Sequence, residues 1–228
     1  MIPWLQIDTA RVPDADVELR LMRRGAEFSM MLGPNELMNS RLSGSEEALA
    51  TLACRRIEAV KRPHLLIGGL GMGFTLRAAL AVLGSEARIM VAELVPAVIE
   101  WARGPLADIF GGSLDDPRAS IRSADVVDVI RSHASAFDAI LLDVDNGPEG
   151  LIRKANDALY DLKGLNAIRA ALRPGGVLAV WSSGPNAHFT KRLGDAGFAV
   201  NEVAVRATTK RSGARHVIWF AARPASGR

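Results

Sequence analysis

Short apolar segments that alternate with helix-like segments constrain the fold of this chain more than any other feature. Five of them follow Pro63 and have the length of strands: Leu65–Ile67, Arg88–Ala92, Ala119–Arg122, Phe137–Leu142 and Val177–Trp181. Short, mostly apolar strands with helices between them are typical of parallel sheets that are covered by helices on both faces. The sequence therefore predicts an α/β, Rossmann-like fold.

Two further β runs close the predicted sheet. Phe198–Arg206 alternates apolar and polar residues, and Arg215–Ala222 follows the turn-rich segment Thr208–Gly213. A hairpin after five strand–helix units is typical of the seven-stranded class I methyltransferase sheet, whereas a dinucleotide-binding fold more often continues with another helix. Between the fourth and fifth strands we expect a long helix that ends near Leu172, and then a turn at Arg173–Gly176.

The N-terminal part predicts a small antiparallel sheet. The candidate strands Trp4–Ile7, Val17–Leu21 and Phe28–Leu32 are separated by proline and glycine residues. Ser43–Glu47 then predicts the start of a helix with a serine cap and an acidic first turn. We therefore expect a small β segment at residues 1–42 and an α/β domain at residues 43–228.

Composition indicates a globular protein without a membrane segment. Of the 228 residues, 49% are hydrophobic and 23% are charged, and no apolar run approaches the roughly 20 residues of a membrane helix. Acidic residues interrupt the N-terminal segment, so it does not resemble a signal peptide. The single Cys54 lies on a half-apolar, helix-like stretch, which indicates a packed small side chain and fits a cytoplasmic location.

Basic residues gather near the C-terminus, although the net charge is only +3. They are Lys191, Arg192, Arg206, Lys210, Arg211, Arg215, Arg223 and Arg228. Such a face could meet RNA, but aromatic residues make up only 5% of the chain and leave little for base stacking. The composition therefore favours a solvated surface over a nucleic-acid partner.

A glycine-rich loop follows the first strand of the predicted parallel sheet. Gly69, Gly71 and Gly73 lack a Cβ, so the backbone can turn sharply and approach a ligand closely. Phe74 stands where the dinucleotide fingerprint requires a glycine, which argues against NAD. We expect the three glycines to bind a nucleoside cofactor of another kind, although a structural turn has the same pattern.

Two acidic residues follow the next two strands. Glu93 ends the second strand, 20 residues after Gly73, where a carboxylate can accept hydrogen bonds from both ribose hydroxyls. Asp125 follows the third strand and is placed to accept from an adenine amino group. The alternative for Asp125 is a helix N-cap ahead of Val126–Arg131.

Asp143 ends the fourth strand, where the reactive carbon of an adenosyl sulfonium ligand would lie. A carboxylate there can orient an amine nucleophile or accept its proton. Asp145, Asn146 and Glu149 follow, and such acceptors suit a cationic or amine substrate, although Asp and Asn also build simple turns. No grouping of His, Cys or carboxylate residues has metal-ligand spacing, so no metal is expected.

Together these motifs resemble the spermidine synthase family. Leu66–Arg77 is similar to the family's first glycine motif, Val91–Glu100 to its acidic strand-two motif, and Phe137–Asp143 with Asp145 to its active-site loop. Leu172–Leu178 fits a later landmark, as does Leu159-Tyr160. The resemblance covers about residues 28–182.

The chain departs from the family pattern at three places. Leu70 stands where the family usually has an aspartate that holds the amino group of the aminopropyl chain. Asn39 and Ser40 are placed against the family's Tyr-Gln pair, and its Asp-x-x-Asp loop is shortened to Asp143 and Asp145. The residue that matches the family's proton-accepting aspartate, Asp143, is kept.

The resemblance implies an S-adenosylmethionine-binding transferase domain at residues 43–228. The co-substrate expected from it is S-adenosylmethionine or the decarboxylated form. It also implies catalytic roles for Asp143 and Asp145. Asn39, Ser40, Asn146 and Tyr160 are the expected substrate-binding residues.

Three functions remain open from the sequence. The first hypothesis is methyl transfer to a small nucleophile, because Leu70 removes an acidic partner for an aminopropyl amine. The second is aminopropyl transfer from decarboxylated S-adenosylmethionine to putrescine, with Glu46 or Glu47 supplying further acids. The third is a non-catalytic, RNA-associated domain. We expect a small amine as substrate and a homodimer that pairs through exposed N-terminal strands.

Overall fold

The computed structural model describes residues 2–13, 17–143, 158–208 and 214–225. Its N-terminal part is a four-stranded antiparallel sheet, in the order β1-β2-β3-β4. The strands are β1 (Leu5–Arg11), β2 (Glu18–Arg24), β3 (Glu27–Leu32) and β4 (Asn35–Asn39). The sequence analysis missed β4, because Gly33-Pro34-Asn35 indicated only a turn. Gly33 has a φ of 54°, and this left-handed residue folds β4 back onto β3.

The remaining strands form one seven-stranded sheet. They are β5 (His64–Gly68), β6 (Arg88–Glu93), β7 (Ala119–Ser123), β8 (Phe137–Leu142), β9 (Leu172–Ser182), β10 (Ala199–Arg206) and β11 (Arg215–Ala222). Their order is β10-β11-β9-β8-β5-β6-β7, and among these described strands β11 runs in the direction opposite to the other six. The predicted fold class is therefore confirmed, including the small N-terminal sheet and the closing hairpin.

Helices cover both faces of this sheet. They are α1 (Gly44–Arg56), α2 (Phe74–Val82), α3 (Pro96–Arg103), α4 (Ala107–Phe110), α5 (Val126–Arg131), α6 (Leu162–Ala171) and α7 (Ala187–Asp195). Two buried hydrophobic clusters result, one on each face, and neighbouring residues of β5 such as Leu65 and Leu66 point into different ones. Leu21 and Met30 of the N-terminal sheet join the cluster of Leu65, so the two sheets share one core.

Among the described residues, no helix has the length and apolar character needed to cross a bilayer. Cys54 is buried on α1, where burial raises the pKa of its thiol to about 12. This agrees with its interpretation as a packed small side chain.

Two local predictions are corrected by the structure. Ser43 precedes α1, but its side chain makes no capping hydrogen bond. Arg173–Gly176 is not a free turn, because β9 already begins at Leu172. The backbone N–H of Gly175 donates to Arg223, and the N–H of Arg223 donates to Gly176, so the C-terminal segment pairs with this stretch and holds it in the sheet. Of the predicted long helix, residues 144–157 lie outside the described ranges, and α6 is its last part.

Candidate active site

The order of the parallel strands reverses between β5 and β8, so β6 and β8 lie on opposite sides of β5. In open α/β sheets, ligands bind beyond the carboxyl ends of the strands at such a switch point. The glycine loop follows β5 and Asp143 follows β8, so both lie at this point. The topology therefore brings the predicted cofactor loop and the predicted catalytic carboxylate to one edge.

The glycine loop is held by its backbone conformation and by packing. Gly69, Gly71 and Gly73 all have positive φ values, of 89°, 49° and 78°. A Cβ on Gly73 would lie 2.3 Å from the ring of Phe110, and one on Gly71 would lie 2.9 Å from the sulfur of Met38. Side chains are therefore excluded here, and β4 of the N-terminal sheet reaches the loop through Met38.

Glu93 ends β6 and connects that strand to the glycine loop. Its side chain is only 7% exposed. Oε2 accepts a hydrogen bond from the backbone N–H of Leu70 at 2.8 Å, and Oε1 accepts one from Val95 at 2.9 Å. Burial raises the pKa of Glu93, and the surrounding backbone amides oppose that rise. The carboxylate therefore holds the loop in place, and the predicted bond to ribose hydroxyls stays a prediction.

Asp125 lies at the same edge, just beyond β7. Its carboxylate accepts a hydrogen bond from the N–H of Val127 at 2.8 Å and caps α5, as the alternative interpretation expected. The N–H of Ala124 donates to the carbonyl of Glu93, so the two acidic residues are close along the edge. The predicted contact with adenine is compatible with this place and stays a prediction.

Asp143 directly follows β8. Its Oδ2 accepts a hydrogen bond at 2.9 Å from the hydroxyl of Thr75, at the start of α2. Burial raises the pKa of the Asp143 carboxyl to about 7, and the negative charge of Glu46 adds to the rise, while the Thr75 hydrogen bond opposes it. Asp143 is thus a carboxyl group that can gain and lose a proton near neutral pH.

Glu46, in the first turn of α1, is the second acid of the site. Burial raises its pKa, the hydroxyl of Ser45 stabilises its charge through a hydrogen bond of 2.8 Å to Oε2, and Glu47 adds repulsion. Glu47 itself lines a separate cleft beside α2. Of the two acids named from the sequence, it is therefore Glu46 that interacts with Asp143. Two partly buried carboxylates that repel each other form a site suited to a cation.

The structure gives local partners to the predicted substrate-binding residues. Asn39 accepts hydrogen bonds from the N–H groups of Arg41 and Leu42, and Ser40 accepts one from Phe28, so both close the turn before α1. Asp145 and Asn146 lie outside the described residues.

Tyr160 lies in the hydrophobic cluster that contains Leu66, on the face of the sheet opposite to the cluster of Leu65. Its ring lies 5.5 Å from that of Phe189 in an edge-on arrangement. Contacts of Asn39, Ser40, Asn146 and Tyr160 with substrate stay predictions.

Four residues near the acidic pair were missed by the sequence analysis: Thr75, Ser45, Trp181 and His216. Thr75 comes two residues after Gly73, which is a usable local signal. Trp181 follows Val180, which pairs with Leu142, so Trp181 and Asp143 lie side by side at the carboxyl edge. Its ring is 4.8 Å from that of His216, nearly at right angles. Nothing in the sequence pattern joins β11 to α1, so His216 could not be found.

Several of the basic residues near the C-terminus contact neighbouring groups, so they do not form one free basic surface. Lys191 pairs with Asp195 at 2.7 Å, Arg192 donates to the carbonyl of Tyr160, and Arg223 donates to the carbonyls of Arg169 and Leu172. Lys210, Arg211 and Arg228 lie outside the described ranges.

The raised pKa of Asp143 predicts a pH-dependent effect on stability. The group ionises near pH 7 in the folded chain, but at about 3.9 when unfolded. The folded state therefore binds the extra proton, and this contribution is lost as the pH rises from about 4 through 7. Asp143→Asn cannot ionise, so we expect it to be more stable than the parent at pH 8, by on the order of 2 kcal/mol, and nearly equal at pH 4.

Thermal denaturation at pH 4, 6 and 8 measures this difference. Asp108→Asn on α4, an exposed position, is the matched control and should show no such trend. An equal effect of Asp143→Asn at all three pH values would contradict the raised pKa.

Comparison with known proteins identifies the family to which this α/β fold belongs. The spermine/spermidine synthase domain family matches residues 45–192. The chain belongs to this family.

Individual proteins and solved structures that are similar to this chain carry names that fit this family. The polyamine aminopropyltransferase of Mycobacterium tuberculosis is 32% identical over 157 residues, which cover 65% of this chain and 29% of that protein. The chain thus spans about a third of the length of that relative. Spermidine synthase from Thermotoga maritima has a TM-score of 0.76 at 22% identity, covering 97% of this chain and 74% of that one. A spermidine synthase solved with the transition-state analogue AdoDATO has a TM-score of 0.75 at 21% identity, covering 97% and 73%.

These findings confirm the predicted resemblance to the spermidine synthase family, and they show that methyl transfer, our first hypothesis, is wrong. The relatives with 31–32% identity are named polyamine aminopropyltransferases. The hypothesis gave too much weight to Leu70. Its side chain is buried in the core that the two sheets share, so an apolar residue there satisfies packing.

Proposed function

We propose that this chain transfers the aminopropyl group of decarboxylated S-adenosylmethionine to a small diamine such as putrescine. The observation that carries the proposal is the partly buried, electrostatically interacting pair of Asp143 and Glu46 at the carboxyl edge of the sheet. A diamine is a dication at neutral pH, and a pair of partly buried carboxylates can supply the opposite charge.

The donor side of the proposal rests on the glycine loop with Glu93 and Asp125. The loop allows close approach of a nucleoside, and the two acids stand at the ends of neighbouring strands. Moving along the sheet edge away from the glycine loop, Glu93 comes first and Asp125 second. This order matches a nucleoside whose ribose lies at Glu93 and whose adenine lies at Asp125. This would place the sulfonium end of the donor toward β8 and Asp143.

The chemistry then needs little from the protein beyond positioning and a proton acceptor. The amine nitrogen attacks the methylene carbon bonded to the positive sulfur, the C–N bond forms, and the C–S bond breaks to release a neutral thioether. An ammonium nitrogen has no lone pair, so the attacking nitrogen first loses one proton, which Asp143 accepts, and the product nitrogen is then a secondary ammonium group. A carboxylate with a pKa near 7 is a stronger base than an ordinary aspartate and is still largely ionised at pH 8.

Glu46 and Trp181 suit the cationic acceptor. The charge of Glu46 favours entry of an ammonium group, and the Trp181 ring beside Asp143 offers an aromatic face on which a cation can rest. Methylene groups between the two amines would contact the same ring.

We further propose a homodimer formed through the N-terminal sheet. β1 is an edge strand, and Ile2, Leu5 and Ile7 are exposed apolar side chains on it or just before it. Sedimentation analysis of the parent chain tests whether it is a dimer.

A cytoplasmic location stays a prediction from composition.

The experiment that tests the proposed function is a product assay with two donors. We expect the chain to form spermidine and methylthioadenosine from decarboxylated S-adenosylmethionine and putrescine. With S-adenosylmethionine as donor, we expect no methylated amine. Absence of aminopropyl transfer to putrescine and to other diamines, in protein whose fold is verified by circular dichroism, would overturn the proposal.

A further inference from the structure

We infer that His216 is a positioning residue for the acceptor amine, acting through Ser45 to orient the carboxylate of Glu46. The inference rests on the proposed function, because it assigns a role within that same site. It concerns the C-terminal hairpin, which otherwise only closes the sheet.

The contact begins at the start of β11. The Nδ1 atom of His216 lies 2.9 Å from the hydroxyl oxygen of Ser45. That hydroxyl donates its single hydrogen to Oε2 of Glu46 at 2.8 Å. Ser45 therefore can only accept from His216, so Nδ1 carries the hydrogen. The hydrogen bonds run in one direction, from His216 to Ser45 to Glu46.

The surroundings hold these side chains in place. Ser45 is only 1% exposed. The ring of His216 is half-buried and meets Trp181 edge-on. Burial lowers the pKa of His216, which favours the neutral ring and keeps a competing positive charge away from an amine site.

The backbone at the start of α1 is also held by the C-terminal hairpin. The N–H of Gly44 donates to the carbonyl of Ala207 at 3.1 Å. A Cβ on Gly44 would lie 3.0 Å from the carbonyl carbon of Thr208, so the two segments are in close contact. The hairpin therefore fixes both the backbone of the first turn of α1 and, through His216, one of its side chains.

This arrangement explains how a flexible glutamate can serve as a defined binding group. Without the hydrogen bond from Ser45, the Glu46 side chain would turn away from Asp143. Each negative carboxylate raises the free energy of ionising the other. The hydrogen bond from Ser45 holds one orientation in advance of binding, and His216 holds Ser45. Such preorganisation affects acceptor affinity more than the chemical step.

The experiment compares His216→Leu, His216→Asn and Ser45→Ala in the full chain. The amide nitrogen of asparagine takes the place of Nδ1, so His216→Asn keeps the donor, whereas His216→Leu removes it. We expect His216→Leu and Ser45→Ala to raise the KM for putrescine roughly fivefold to tenfold. Their kcat and their Kd for the donor should stay within about twofold, and His216→Asn should stay close to the parent in all three quantities.

His133→Leu is the matched control, since His133 also contacts a serine, Ser132, but just after α5 and away from the acidic pair. It should leave the KM unchanged. Equal effects of His216→Leu and His216→Asn would overturn the inference, and so would a loss confined to kcat or to donor binding.

A second readout separates this inference from the proposed function. NMR titration of the Glu46 carboxyl needs no turnover, and we expect its pKa to rise in His216→Leu and Ser45→Ala but not in His133→Leu or His216→Asn. If the parent chain transfers no aminopropyl group, the proposed function fails while the titration still decides whether His216 acts on Glu46. An unchanged Glu46 titration in His216→Leu would refute the positioning role.

Discussion

Asp143→Asn is expected to lower kcat by roughly 10³-fold while the affinity for decarboxylated S-adenosylmethionine changes little. Asparagine has nearly the same shape, and its amide oxygen can still accept the hydrogen bond from Thr75. It cannot take a proton from the attacking amine. Steady-state kinetics with putrescine, together with calorimetric titration of the donor, measure the two effects separately.

Glu46→Gln provides the internal comparison for this variant. Because Glu46 is proposed to attract the acceptor and not to accept its proton, its loss should raise the KM for putrescine and leave most of kcat. Asp108→Asn, an exposed change on α4, should alter neither quantity. If Asp143→Asn kept more than about a tenth of the parent kcat, another group would have to be the proton acceptor.

Glu93→Ala is expected to weaken donor binding by about 100-fold or more. The change removes the carboxylate that accepts from Leu70 and Val95, and it leaves buried N–H groups without partners. Each lost hydrogen bond to a charged group contributes about 1.5–3 kcal/mol. The glycine loop then loses its attachment to β6, and the predicted acceptor for the ribose hydroxyls is gone. Calorimetric titration with decarboxylated S-adenosylmethionine measures the loss.

Glu86→Gln is the matched control, because Glu86 precedes the same strand at its opposite end and is exposed, where it pairs with Arg62. It should bind the donor like the parent. Circular dichroism and a melting curve show whether Glu93→Ala remains folded, and Glu93→Gln serves as a milder variant if it does not. Donor affinity that survives in both folded variants would remove Glu93 from the donor site.

Much of the fold could be predicted from residue patterns alone. Apolar runs of strand length, such as Phe137–Leu142, identify buried parallel strands because both faces of such strands are covered. Gly73 and Glu93 could be located because the fold requires a turn without side chains after one strand and an acid after the next. These are local features, and each depends on a few neighbouring residues.

Two predictions failed because they depend on contacts between distant residues, which local sequence patterns do not show. Leu70 indicated a missing acid, yet its side chain packs into a core that only the association of the two sheets creates. Arg173–Gly176 has the composition of a turn, but pairing with Arg223 near the end of the chain holds it in β9. In both cases, residues far apart in the chain decide the outcome.

Residue patterns are enough to predict the α/β class, the position of the glycine loop and the acids that end successive strands, because strand periodicity and glycine placement act over short distances. That Glu46, rather than Glu47, interacts with Asp143, and that Ser45 and His216 support it, follows only from the packing of the folded chain. Burial and charge interaction depend on which elements pack together, and no local pattern contains that information. Here α1 contacts both β8 and β11, which are widely separated in the chain. Burial, together with the charge of Glu46 on α1, raises the pKa of Asp143 to about 7.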